Sequence, residues 1–219
     1  MAFSDDLLDS HAALWDAQRA HPFVVELAEG SLDEAAFRHW VEQDYRYLLD
    51  YARTFAVAGV RARDEATMTR LLGIAHTTLA TELDLHRAFA ADYGLTAADL
   101  ETVEKTPTCV AYTNYLLRVA HQGSFAEISA AVYPCGQGYL DIADHMATLA
   151  TDDHRYTPFI EKYTGDEFRE TVAWLRSFVD RCAEEYPGER DAMRATFERS
   201  ARLEAAFWEM AYTEEAWPV

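Results

Sequence analysis

Apolar residues recur at three- and four-residue intervals through almost the whole chain, and nowhere do apolar and polar residues alternate long enough to make a strand. With 3.6 residues per turn, that spacing gathers the apolar side chains on one helical face, and a chain made of such segments buries them only by packing helix on helix. In "DDLLDSHAALWDAQ", Leu7, Leu8, His11, Leu14 and Trp15 form one stripe, with Ser4 placed to cap its start. "HPFVVELAEGS" closes at Gly30. Ser31 and Glu34 then have the spacing of a capping box, which predicts one helix of about thirty residues through "SLDEAAFRHWVEQDYRYLLDYARTFAVAGVRA". Further helices are predicted over 65–92, with a stop at Gly94, from Pro107 to Gly123, and over 124–150, 166–186 and 189–213, while "TPFIEKYTG" reads as a short helix or turn.

No repeat, linker or low-complexity segment divides the chain, so one all-α domain over residues 1–219 is expected. Its helices are too long and too uniformly apolar for a minimal four-helix bundle. A larger multi-helix bundle is predicted, with some helices covered by several neighbours or by other copies of the chain.

The 38 acidic residues against 19 Lys and Arg leave a net charge of -19, which repels nucleic acid and anionic membrane surfaces. Neither is expected as a partner. The basic residues are nearly all Arg, Lys occurring only at Lys105 and Lys162, and the acidic excess suits a strongly hydrated surface in a salt-rich cytoplasm. Cys109, Cys135 and Cys182 form neither a CxxC pair nor an even framework, which argues for a reducing interior and against a structural zinc site. The absence of a long apolar run and of a basic, apolar leader gives the same expectation of a soluble, cytoplasmic protein.

Candidate chemistry begins at "AAVYPCGQGYLD", residues 130–141. Pro134 cannot donate a backbone hydrogen bond, so a kink or restart is predicted there, with Cys135 in the first turn of the continuing half-helix. Free amides and the helix dipole at that point favour a thiolate, and Gly136 and Gly138 leave room for a ligand or another helix. A buried structural cysteine beside a packing kink fits the same residues. Cys109 also follows a helix-starting proline, whereas Cys182 lies among acids that raise a thiol pKa.

A second feature is "EQDYRYLLDYARTF", where Asp44, Tyr47, Tyr51 and Phe55 share one helical face. Alone, Asp44 reads as either a solvated edge residue or a pocket carboxylate. Tyr112, Tyr115, Tyr139 and Tyr163, near the helix breaks, suit a cavity that stacks a flat ring and hydrogen-bonds its edge. In "RLEAAFWEMAY", either Glu204 or Glu209 faces inward; a carboxyl against aromatic surface holds its proton near neutrality and suits a general acid.

"HPFVVELAEGSLDEAAFRHWVEQDYRYLLDYAR", "AYTNYLL", "YPCGQGYLDI" and "EAAFWEMAY" resemble, in order and approximate spacing, the TenA family, also called thiaminase II or aminopyrimidine aminohydrolase. The resemblance spans residues 11–213. It implies a fold like haem oxygenase, a homotetramer, no cofactor and no metal, and a hydrolase of thiamine salvage acting on a small aminopyrimidine or on thiamine. It implies Cys135 as nucleophile, Glu204 as proton donor to the leaving amine, Tyr47 as the thiol's assistant, Asp44 on the pyrimidine edge, and Tyr112, Tyr139 and Tyr163 around the pocket. "GQG" after the cysteine departs from bulkier residues in many relatives and puts pocket size in question.

Rival readings exist on such a scaffold. Glu82 with His86, and Asp141 with His145, each lie one helical turn apart, and Glu204 could bridge them as a dimetal oxidase site. For an axial haem ligand His11, His21 or His39 could be nominated, with no motif around them. A non-catalytic regulator that senses a pyrimidine would use the same cavity.

Overall fold

The computed structural model describes residues 2–150 and 152–218, and the secondary structure of those residues is helical throughout. The helices are α1 (Phe3–Ser10), α2 (Ala12–Arg19), α3 (Pro22–Glu29), α4 (Glu34–Arg61), α5 (Glu65–Thr77), α6 (Leu83–Asp92), α7 (Ala97–Thr102), α8 (Pro107–Gln122), α9 (Phe125–Leu149), α10 (Thr157–Thr164), α11 (Asp166–Glu185) and α12 (Arg190–Tyr212). A π-helical turn, Thr78–Glu82, joins α5 to α6, and a 3₁₀ turn, Pro187–Glu189, joins α11 to α12.

Several ends differ from the sequence reading for identifiable reasons. Ser4 lies inside α1, fully buried, where its backbone amide and hydroxyl donate to the Asp180 carboxylate of α11 at 2.7 and 2.9 Å. An amide of the first turn, which has no partner inside its own helix, is thus satisfied from another helix. The stripe through Trp15 breaks at His11 into α1 and α2. Ser31 caps nothing: its amide reaches back to the Glu26 carbonyl at 2.9 Å behind Gly30, whose φ is 75°, closing α3 in a Schellman turn. Asp33 caps α4 instead, accepting from the Ala35 amide at 2.8 Å.

The predicted helix over 65–92 is interrupted by the π-helical turn and ends at Gly94, with φ of 73°. α7 was not foreseen, although Thr96 and Asp99 form its capping box. At α9, Ser124 and Glu127 do the same, through bonds of 2.8 and 3.1 Å. "TPFIEKYTG" is a helix, α10.

α9 runs through Pro134 without ending or restarting. Carbonyls on the turn before the proline are bonded from neighbouring helices, Ala131 by the Ser200 hydroxyl at 2.6 Å and Val132 by the Tyr51 hydroxyl at 2.9 Å. The carbonyl that the proline itself leaves without an intrahelical donor is that of Ala130, four residues back.

Side chains from every face of α9 are buried, and it packs against α2, α3, α4, α8, α10, α11 and α12. A helix apolar all round belongs at the centre of a bundle. Its two glycines serve that packing: a β-carbon on Gly136 would stand 2.9 Å from Leu175 Cδ1 of α11, and one on Gly138 would stand 3.3 Å from the Trp15 ring of α2. Among the described residues, no helix is long and apolar enough to cross a membrane.

Candidate active site

The middle of α9 forms one wall of a cavity, with Cys135, Gly136 and Tyr139 facing Asp44, Leu48, Tyr51 and Phe55 of α4. The π-helical turn adds Thr78 and Glu82, α10 adds Lys162 and Tyr163, and α11 closes the side with Phe168, Val172 and Leu175. Counting its mouth, the cavity encloses about 910 Å³. Each helix reaches it for a reason legible locally. The three-to-four spacing on α4 puts Asp44, Tyr47, Tyr51 and Phe55 on the inward face, and the extra residue of a π-helical ring turns Glu82 inward.

Asp44 is a buried pocket carboxylate, not a solvated edge residue. Its Oδ1 accepts from the Tyr139 hydroxyl at 3.3 Å, and that hydroxyl accepts from Trp40 Nε1 at 3.1 Å. Its Oδ2 lies 2.6 Å from His86 Nε2, and His86 Nδ1 lies 2.9 Å from the Glu82 carbonyl. Glu82 Oε1 accepts from the Tyr163 hydroxyl at 3.2 Å.

Behind Cys135, Glu204 of α12 is buried and its Oε2 accepts from the Tyr112 hydroxyl at 2.7 Å, with Ser200 Oγ 3.4 Å from the Tyr112 oxygen. Glu209, the alternative acid, is exposed and pairs with His21 at 3.1 Å. Burial, opposed by the Tyr112 hydrogen bond and reinforced by the charge of Asp44, pushes the Glu204 carboxyl up to about 8. It therefore carries a proton at neutrality, as a general acid requires.

Cys135 corrects the thiolate argument. It sits in mid-helix, away from any free helix start, and burial, followed by the nearby Glu204 charge, holds its thiol well above the ordinary range. Tyr47 works the other way: its hydroxyl stands beside the thiol and favours the thiolate. That hydroxyl is buried with no partner in ordinary hydrogen-bond geometry, and its ring packs on Tyr112 at 4.8 Å between centroids and on Tyr51 at 5.4 Å. Tyr139 and Tyr163 meet at 4.7 Å on the opposite side.

The seven predicted residues thus converge on one place. Asp44, Cys135, Tyr139 and Tyr163 line the cavity, while Tyr47, Tyr112 and Glu204 form a polar layer behind the thiol. Tyr115, by contrast, is only half-buried and donates to the Thr196 carbonyl at 3.3 Å. The spaces at Gly136 and Gly138 are filled by Leu175 and Trp15, so "GQG" seats helices and does not by itself widen the pocket.

The carboxylate and histidine pairs do not converge on a metal site. Asp141 is ion-paired with Arg19, neither it nor His145 reaches the cavity, and no three His, Cys, Asp or Glu side chains among the described residues gather as metal ligands. His11 is spent on the Leu7 carbonyl, His21 caps α3, and His39 does not line the cavity. What the sequence reading missed is His86 as the partner of Asp44. The signal was its place four residues after Glu82 on the stripe facing α4, a pair the sequence raised only as part of a rival metal site.

Comparison with known proteins agrees with this arrangement. The TENA/THI-4/PQQC family model matches residues 8–214. The chain is 39% identical over 220 residues to an aminopyrimidine aminohydrolase of Halalkalibacterium halodurans, covering 99% of this chain and 98% of that protein. It superposes on a TenA homologue from P. horikoshii OT3 with a TM-score of 0.90 at 27% identity, covering 97% of this chain and 99% of the other. A Shewanella denitrificans domain with a heme oxygenase-like fold gives a TM-score of 0.74 at 16% identity, over 96% and 92% of the two chains, a likeness of fold alone.

Proposed function

The chain belongs to the TENA/THI-4/PQQC family, and we propose that it is an aminopyrimidine aminohydrolase of thiamine salvage, converting 4-amino-5-aminomethyl-2-methylpyrimidine to its 5-hydroxymethyl counterpart with release of ammonia. One observation carries this reading: a thiol, an aromatic-lined cavity with a carboxylate on its wall, and a proton-bearing carboxyl near the thiol occur together.

An aminopyrimidine presents a ring-nitrogen acceptor beside an exocyclic amino donor, and Asp44 is the group that reads this edge. Tyr139 and Tyr163 fix the ring plane so that the thiol meets a ring carbon conjugated with the methylene-bearing one. Glu204 gives its proton to the amine and takes the proton of Cys135. The thiolate then adds, and its electron pair moves onto the ring nitrogen at the Asp44 edge. Return of that pair expels ammonia and leaves an exocyclic methylene. Water adds to the methylene as the adduct collapses: the released thiolate takes the proton held by Glu204, and Glu204 takes the surplus proton of the water, so both groups end as they began. The reaction adds water and loses ammonia, and covalent addition divides one difficult displacement into easier steps.

The same reading extends to thiamine, whose leaving group is larger. Exposed Met68, Leu72 and Leu79 on α5 and the π-helical turn support assembly of several copies, a homotetramer in this reading, which sedimentation tests. Purified protein given the aminomethylpyrimidine and, separately, thiamine should release hydroxymethylpyrimidine, with the ratio of rates fixing the preferred substrate. Tight pyrimidine binding with no product from either compound would favour the sensor and sink the hydrolase.

A further inference from the structure

Both nitrogens of the buried His86 ring face acceptors. The ring is fully buried, its Nδ1 is 2.9 Å from the Glu82 carbonyl and its Nε2 is 2.6 Å from Asp44 Oδ2. A backbone carbonyl can only accept, so Nδ1 carries a hydrogen, and the short Nε2–Asp44 contact then needs a second proton, shared between imidazole and carboxyl. Trp40 packs on the imidazole at 5.1 Å between centroids and holds its plane. The π-helical turn supplies the carbonyl, a recurrent use of such turns at functional sites.

We propose that His86, acting through Asp44, is a positioning residue that supplies and recovers the proton of the pyrimidine ring during the Cys135 addition. The inference rests on the aminohydrolase reading and names the source of a proton that reading leaves open. When sulfur bonds to the ring carbon, the displaced electron pair makes the ring nitrogen basic. Asp44 takes the Nε2 proton and passes it on to that nitrogen; His86 becomes neutral with its remaining hydrogen on Nδ1, still bonded to Glu82. When the adduct collapses, the proton returns by the same route to the Nε2 lone pair, so the pair ends as it began. His86 thereby sets where the shared proton rests before the addition and offers the Nε2 lone pair to which it returns.

The surrounding groups agree. From α4 the imidazole faces Asp44, from its own chain segment Glu82, and the tyrosines Tyr139 of α9 and Tyr163 of α10 face the two carboxyls, with Lys162 near Glu82. Burial pulls the imidazole pKa down, but the hydrogen bond and charge of Asp44 outweigh it and leave the value above the ordinary one.

The test combines ¹⁵N-histidine NMR of the native protein with kinetics of His86→Gln, whose amide can still bond Asp44 but carries no transferable proton. The native His86 should remain doubly protonated at pH 7. His86→Gln should keep KM within about threefold while kcat falls by about 10²-fold, the scale of a lost proton-transfer group. A kcat near that of the native protein, or a neutral His86 at pH 7, overturns the proposal. A rise in KM with kcat retained marks a purely structural role and also overturns it. If His86→Gln does not fold, His86→Asn and the NMR result decide. If the native protein releases no hydroxymethylpyrimidine in the same assay, the aminohydrolase reading itself has failed.

Discussion

Two cysteines of this chain each follow a proline on a long helix, and the fold gives them opposite surroundings. Cys109 is in the first turn of α8, where amides and helix dipole favour a thiolate, yet it has no exposed surface; its thiol donates to the Gln43 carbonyl at 3.6 Å and burial pushes it up to about 12. Cys135 is in mid-helix with no such help, yet it retains 7% of its surface on a cavity shared with Asp44 and Tyr139. Position on a helix therefore does not tell the two thiols apart. Access to a cavity and a neighbouring carboxyl do.

The largest expected effect separates these two sites. Cys135→Ser should lower turnover by about 10³-fold or more, the scale of losing a nucleophile, while Cys109→Ser leaves kcat within about twofold. Steady-state release of hydroxymethylpyrimidine measures both. Comparable losses in the two variants would erase the contrast.

The proton carrier comes next. Glu204→Gln should cost about 10²-fold in kcat, and native activity should fall as pH rises through about 8, where the Glu204 carboxyl gives up its proton. The same group bears on stability. Its folded pKa of about 8 lies above the ordinary 4.5, so the native state binds the extra proton and stability falls as pH rises across that interval. Glu204→Gln should flatten that fall. Denaturant midpoints between pH 5 and 8 check it, and parallel curves for the two proteins would contradict the burial account.

Smaller effects sharpen the packing side. Cys109→Ala should cost about 1–2 kcal/mol in unfolding free energy by removing a buried sulfur, with turnover unchanged. Gly136→Ala should cost about 1 kcal/mol, because the new methyl meets the flexible end of Leu175 at 2.9 Å. Chemical denaturation reads both, and a large loss of activity in Cys109→Ala would move the functional boundary away from the cavity.

Much of the fold was legible because helical periodicity and Gly or Pro punctuation are local signals. α4, α8, α9, α11 and α12 all follow from them. Errors arose where the deciding contacts were distant: Asp180 holds Ser4 inside α1, and α9, packed by other helices on every side, continues through Pro134. At the site, spacing placed Asp44, Tyr47 and Tyr51 on one face, but the choice between Glu204 and Glu209 depended on which side of α12 meets α8. His86 was visible only as half of a carboxylate–imidazole pair. Its pairing with Asp44, 42 residues away, is a property of the bundle and not of the helix that carries it.

The most direct test of Cys135 as the working thiol is alkylation of the native protein, mapped by mass spectrometry and followed alongside activity, with and without hydroxymethylpyrimidine. The account predicts that Cys135 is modified first, that the pyrimidine protects it, and that activity falls in step with its modification while Cys109 and Cys182 stay free. Full modification of Cys135 with activity retained, or a loss of activity that tracks Cys109, would contradict it.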